Sequence, residues 1–140
     1  MNEYEDDNIF AKILRGEIPS TKIFENEDIL VFMDVMPASK GHCLVVPKTP
    51  SRNLLDADPK TLANLMPIIQ KTAKATKKAL NADGIIIKQF NETSAGQTVF
   101  HLHFHVIPTY EGKKLIHHAS KMADPQELTE IAKLIAKNMS

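Results

Sequence analysis

Cysteine is nearly missing from this chain: Cys43 is the single one in 140 residues. An internal disulfide is therefore excluded, and so is a zinc cluster built from cysteines. No apolar run approaches the roughly 20 residues that a membrane helix requires, so no membrane partner is expected. Neither sign of charge is in excess, with Lys+Arg 17 against Asp+Glu 17. Lacking a basic field, the chain has little to hold a nucleic-acid backbone, and no nucleic-acid partner is expected. A small nucleotide held in a pocket is not excluded by that balance. The segment Met1 to Asp7 is acidic and lacks the basic, then apolar, order of a secretory signal, so a cytoplasmic location is the default expectation.

No repeat, low-complexity tract or Pro/Gly-rich linker divides the chain, and 140 residues suit a single domain, 1–140. Ile9, Phe10, Ile13 and Leu14 recur at helical spacing and predict a short helix over Asn8 to Arg15. Lys22–Glu25 and Ile29–Met33 read as strands joined by an Asn26-Glu27-Asp28 turn. His42 to Val46 is a third strand, closed by Pro47. Asp58-Pro59 is a capping residue followed by a proline in the first helical position. Leu62, Leu65, Met66, Ile69, Ala73 and Leu80 continue from it as the apolar stripe of a long helix. Pro67 removes a backbone donor and predicts a kink or break near Ala63 to Pro67. Asp83-Gly84 turns the chain into a strand over Ile85–Phe90, and Phe100 to Pro108 is the fifth. Asp124-Pro125-Gln126-Glu127 opens a terminal helix. The expected fold class is α+β: a mainly antiparallel five-stranded sheet, one long helix, a short N-terminal helix and a C-terminal helix.

The fifth strand carries the chemistry. His101-Leu102-His103-Phe104-His105-Val106 alternates with period two, so on a strand the three imidazoles share one face and the apolar residues the other. Each imidazole has two nitrogens that need partners, which suits a cleft better than a core. Three readings compete. A solvent-facing strand can carry histidines with no further purpose. A metal site could use two of them with a ligand such as His42, although one ion cannot reach all three, since His101 and His105 lie roughly 13 Å apart along a strand. In the third reading a neutral imidazole attacks phosphorus while a neighbour donates to the phosphate oxygens.

The pattern His-φ-His-φ-His-φ-φ, with φ apolar, spans His101 to Ile107 and is similar to the defining motif of the histidine triad (HIT) family. Ile9-Phe10-Ala11-Lys12-Ile13, Glu17-Ile18-Pro19, Asp34, Lys40-Gly41-His42, Leu44 to Lys48, Asn91-Glu92 and Ala95-Gly96-Gln97-Thr98 extend the resemblance from about Asn8 to Tyr110. Their order resembles the Hint-like branch and its bacterial members. The segment 111–140 is left as a variable C-terminal extension.

The resemblance implies a nucleotide-binding hydrolase or nucleotidyl transferase, a phosphoramidase acting at the α-phosphate of purine nucleoside conjugates through a covalent nucleotidyl-histidine. His103 would be the nucleophile, His105 a donor to phosphate, and His101 the group that fixes the nucleophile's tautomer. His42 would orient the triad and Thr98 would protonate the leaving group. Asn91, Gly96, Gln97 and Thr98 would cradle the phosphate, Gln97 and Thr98 through side-chain donors. Asp34 would accept the ribose hydroxyls, and Ile9, Phe10, Ile13, Ile18, Phe32, Val35 and Leu44 would wall the base. The other function left open is a nucleotide-binding regulatory protein with weak or vestigial turnover. A homodimer is implied, with the Leu62 to Leu80 stripe as its candidate interface.

The sequence also departs from the family pattern. Many bacterial relatives hold a structural zinc with an N-terminal Cys-x-x-Cys and a further histidine, and the corresponding positions here are Asn8, Ala11 and Pro50. No metal and no cofactor is expected. Thr98 stands where many relatives have serine. His117 and His118 read as solvated loop residues, and Cys43 as a small buried hydrophobe.

Overall fold

The computed structural model describes residues 3–116 and 121–139. His117 and His118 lie outside the described residues.

Five strands form one antiparallel sheet in the order β1-β2-β3-β5-β4: β1 Lys22–Glu25, β2 Ile29–Met33, β3 Cys43–Pro47, β4 Gly84–Lys88 and β5 Phe104–Thr109. Three helices accompany it: α1 Ile9–Leu14, α2 Pro59–Ala79 and α3 Pro125–Lys137. This is the α+β architecture that the sequence pattern predicts. Asn26 makes the β1–β2 turn by accepting the backbone N–H groups of Asp28 and Ile29, each at 2.8 Å. Each helix opens on a side-chain cap: Asn8 accepts from Ala11, Asp58 from Lys60 and Asp124 from Gln126.

Strand alternation divides the apolar residues between two layers. Ile29, Val31 and Met33 of β2, Cys43 and Val45 of β3, and Phe104 and Val106 of β5 meet Leu65 and Ile69 of α2 and Leu128, Ile131 and Ile135 of α3. The opposite face of the same strands supplies Leu30, Phe32, Leu44 and Val46, which pack with Phe10 of α1. The central strands β2, β3 and β5 are thus buried on both faces, and the smaller, α1-covered side is the one His105 shares with Leu44, its pairing partner. Each large aliphatic side chain so buried contributes about 1.5–3 kcal/mol.

Four features differ from the sequence expectation. Helix α2 runs unbroken from Pro59 to Ala79 with Pro67 inside it. Ala63 and Pro67 both face solvent, so the carbonyl deprived of its donor lies on the exposed side of the helix and the helix need not break there. The Leu62 to Leu80 stripe is consumed by the protein's own sheet, Leu65 and Ile69 being buried beneath α2, with Met66 left exposed. The fourth strand closes at Lys88, not at Phe90. The fifth begins at Phe104, not at Phe100. Pro47 explains that late start, because it has no N–H for the ladder and its carbonyl accepts His101 Nε2 at 2.7 Å. The N–H of Leu102 turns instead to the carbonyl of Ser51, at 2.8 Å.

Candidate active site

The site forms where β5 begins. His42 precedes β3, and the turn before it is closed by Gly41 at φ +98. A Cβ at Gly41 would come within 2.1 Å of Leu80 and 3.0 Å of Pro108, so only glycine fits there. In that turn the N–H of Ala38 donates to His42 Nδ1 at 2.9 Å. The proton of neutral His42 must then sit on Nε2, which lies 2.9 Å from His105 Nδ1 and 3.4 Å from Asp34 Oδ2. His105 accepts at Nδ1 and therefore carries its own proton on Nε2.

His103 is set by the opposite logic. Its Nδ1 lies 2.6 Å from the carbonyl of His101, an atom that can only accept. Nδ1 therefore bears the proton and the lone pair is left on Nε2. The two rings therefore carry opposite tautomers, with centroids 5.2 Å apart. Both rings line a cleft with Phe10, Asp34, Leu44, Phe90, Gly96, Thr98 and Val99. Phe10 meets His103 edge-on at 4.8 Å, and Phe90 meets His105 at 5.8 Å.

His101 does not line this cleft. Its Nε2–H donates to Pro47 and its Nδ1 lies 2.7 Å from the Tyr4 hydroxyl. Burial depresses its pKa, opposed by the bond to Pro47, so the ring is held neutral. The contact that sets the tautomer of His103 comes from the backbone carbonyl of His101, not from its imidazole. The expected row of three imidazoles on one strand face is replaced by two in the cleft and one behind it.

The expected phosphate cradle divides likewise. Gln97 is buried, and its amide donates to the carbonyls of Arg52 (2.8 Å) and Val99 (3.0 Å). Its oxygen accepts from Asn53 (3.0 Å) and from the backbone of Glu92 (2.8 Å). All its capacity goes into holding the turn, so Gln97 is a clasp and not a side-chain donor to the cleft. The backbone N–H groups of Gly96 and Gln97 are taken by Thr93 and Glu92. Asn91 exchanges amide bonds with Gln89 and accepts from Leu54. Of the turn, Gly96 and Thr98 line the cleft, and Thr98 is exposed. Gly96, at φ +107, gives the turn its left-handed step beneath Phe90.

Sequence reasoning did not anticipate the clamp behind this turn. Arg52 binds Glu92 through two bonds (2.8 and 2.9 Å) and lies 4.2 Å over the Phe100 ring. Asn53 reaches the same carboxylate at 2.6 Å. The positive φ of Glu92, +77, follows no pattern that sequence inspection reveals.

Asp34 lines the cleft while its Oδ1 accepts the N–H of Met36 at 2.8 Å. Of the expected base walls, Phe10 and Leu44 line the cleft, with Phe32 and Ile13 packed behind them. Ile18 is half-buried, whereas Ile9 and Val35 are each 46% exposed. Phe90 and Val99 are walls the sequence reading omitted.

Neither set of metal-ligand candidates fits an ion as it stands. Asp34, His42 and His105 bring ligand atoms within 4.8 Å of one another, but the His42–His105 contact is a hydrogen bond whose proton a metal would have to displace. At the three positions that the family resemblance associates with zinc, the Asn8 oxygen caps α1, Ala11 is a buried methyl and Pro50 has no donor. Cys43 is fully buried, its thiol pushed up to about 12 by desolvation, and it is no nucleophile.

Comparison with known proteins locates this geometry. The model of the HIT domain matches residues 15–112. The chain is 35% identical to Protein hit of Bacillus subtilis over 137 residues, 94% of each protein. It is 44% identical over 104 residues to an uncharacterized HIT-like protein of Methanocaldococcus jannaschii, covering 74% of this chain and 80% of that one. The crystal structure of a Hit-like protein from Bartonella henselae, described as involved in cell-cycle regulation, superposes with a TM-score of 0.91 at 50% identity, covering 97% of this chain and 99% of that one. A zinc-bound histidine triad protein from Mycobacterium smegmatis superposes at 0.83 with 36% identity, covering 95% and 93%.

Proposed function

Because the chain belongs to the HIT domain family, whose members bind nucleotides, we propose that it cleaves purine nucleoside phosphoramidates or related conjugates at the α-phosphate through a nucleotidyl-His103 intermediate. The observation that carries this reading is the pair of complementary tautomers, with a lone pair on His103 Nε2 and a proton on His105 Nε2. In the first step the His103 Nε2–phosphorus bond forms and the bond from phosphorus to the leaving group breaks. Thr98 supplies the leaving group's proton while the His105 N–H stabilises charge on a phosphoryl oxygen. Water then attacks phosphorus and returns a proton to Thr98, the Nε2–phosphorus bond breaks, and the nucleoside monophosphate departs with both His103 and Thr98 restored.

An Arabidopsis thaliana relative named adenylylsulfatase HINT3 is 35% identical over 107 residues, 76% of this chain and 54% of that one. Its name describes hydrolysis of an adenylyl conjugate, which agrees with chemistry at an α-phosphate. Asp34 reads the ribose, and the Phe10, Leu44, Phe90 and Val99 walls hold the base by shape. The working form is a cytoplasmic homodimer. Strand β4 supports the dimer: it is an edge of the sheet, with Ile86 37% and Ile87 43% exposed. Steady-state turnover of adenosine and guanosine phosphoramidates tests the proposal. The wild type turns them over, while His103→Ala abolishes turnover and still binds nucleoside monophosphate. Full activity in that variant contradicts the mechanism.

A further inference from the structure

We propose that Tyr4 and Asn8 form a hydrogen-bonded bracket that positions the nucleophile. The inference rests on the assignment of His103 as nucleophile. His101 is almost wholly buried, so each of its ring nitrogens needs a protein partner. Pro47 takes the Nε2–H, which obliges Nδ1 to accept, and the donor is the Tyr4 hydroxyl at 2.7 Å. Tyr4 in turn accepts from Asn8 Nδ2 at 3.1 Å. Asn8 also donates to the Glu5 carbonyl (2.8 Å) and caps α1 through its oxygen (2.9 Å).

The bracket thereby controls two contacts on His103. Locking the His101 ring fixes the residue whose carbonyl accepts His103 Nδ1–H. Anchoring α1 fixes Phe10, whose ring abuts His103 at 4.8 Å. Neither Tyr4 nor Asn8 lines the cleft with His103 and His105, so they act through these intermediaries as positioning residues.

Tyr4→Phe removes a single oxygen and tests the idea, with Asn8→Asp as a second variant that keeps the capping oxygen but loses the donor to Tyr4. Tyr4→Phe lowers kcat by about tenfold with KM little changed, the cost of a mispositioned nucleophile. Asn8→Asp lowers kcat by less, with an unfolding midpoint close to that of the wild type. Nitrogen NMR of labelled histidine reads the bracket without turnover: the His101 Nδ1 resonance of the wild type is that of a hydrogen-bonded acceptor, and it shifts in Tyr4→Phe. Unchanged kcat in Tyr4→Phe, or a loss carried by KM alone, overturns the positioning role. An unshifted Nδ1 resonance overturns the bracket itself. Absence of nucleotidylated His103 in the wild type, with the Nδ1 resonance still shifted by Tyr4→Phe, places the failure in the assignment of the nucleophile and not in the bracket.

Discussion

Proton placement decides what each histidine can do. The Ala38 N–H and the His101 carbonyl are backbone groups of fixed polarity, and between them they impose opposite tautomers on His105 and His103. Beside them, Asp34 carries a specificity prediction. Hydrogen bonds from ribose hydroxyls to the Asp34 carboxylate are charge-assisted, each costing about 1.5–3 kcal/mol when lost, or roughly 10- to 150-fold. Steady-state kinetics should show a 2′-deoxy substrate losing at least about tenfold in kcat/KM, and exchange of adenine for guanine changing it less. Asp34→Ala should largely erase the ribose preference, and equal rates for deoxy and ribo substrates in the wild type would refute the placement. His42, His103, His105 and Asp34 are legible in the sequence because their spacing and motif survive without coordinates. Gln97 is not, because an amide reads alike whether its donors face a phosphate or, as here, the carbonyls of Arg52 and Val99.

At the scale of elements, period and caps carried most of the information. The short apolar runs of β2 and β3 and the caps at Asp58 and Asp124 place those elements within a residue or two of where they lie. Two boundaries failed for tertiary reasons: Pro67 faces solvent, so α2 continues, and Pro47 denies the ladder a donor, so β5 starts late. The C-terminal helix, which the family pattern leaves variable, completes the core against β1 and α2 with Leu128, Ile131, Ala132 and Ile135. Ile135→Ala should therefore cost about 2–5 kcal/mol. A urea titration checks it, and a loss below about 0.5 kcal/mol would mean that α3 is not integral to the fold.

For the whole molecule, the surface left after folding moves the candidate interface from α2 to the edge of the sheet. Sequence periodicity marks the α2 stripe as apolar but cannot tell self-packing from assembly, and Leu65 and Ile69 prove to be spent internally. Strand β4 retains Ile86 and Ile87 on an edge that is open among the described residues. Sedimentation at micromolar concentration should give a dimer, and Ile86→Lys with Ile87→Lys a monomer. A monomeric wild type would refute the assembly. The proposed chemistry turns on one atom, His103 Nε2. Mixing the protein with a nucleoside phosphoramidate, quenching at neutral to basic pH and mapping the peptides measures it directly. A nucleoside monophosphate on the peptide bearing His103, lost in His103→Ala, is the result predicted; turnover with no adduct on His103, or with the adduct on another residue, would contradict it.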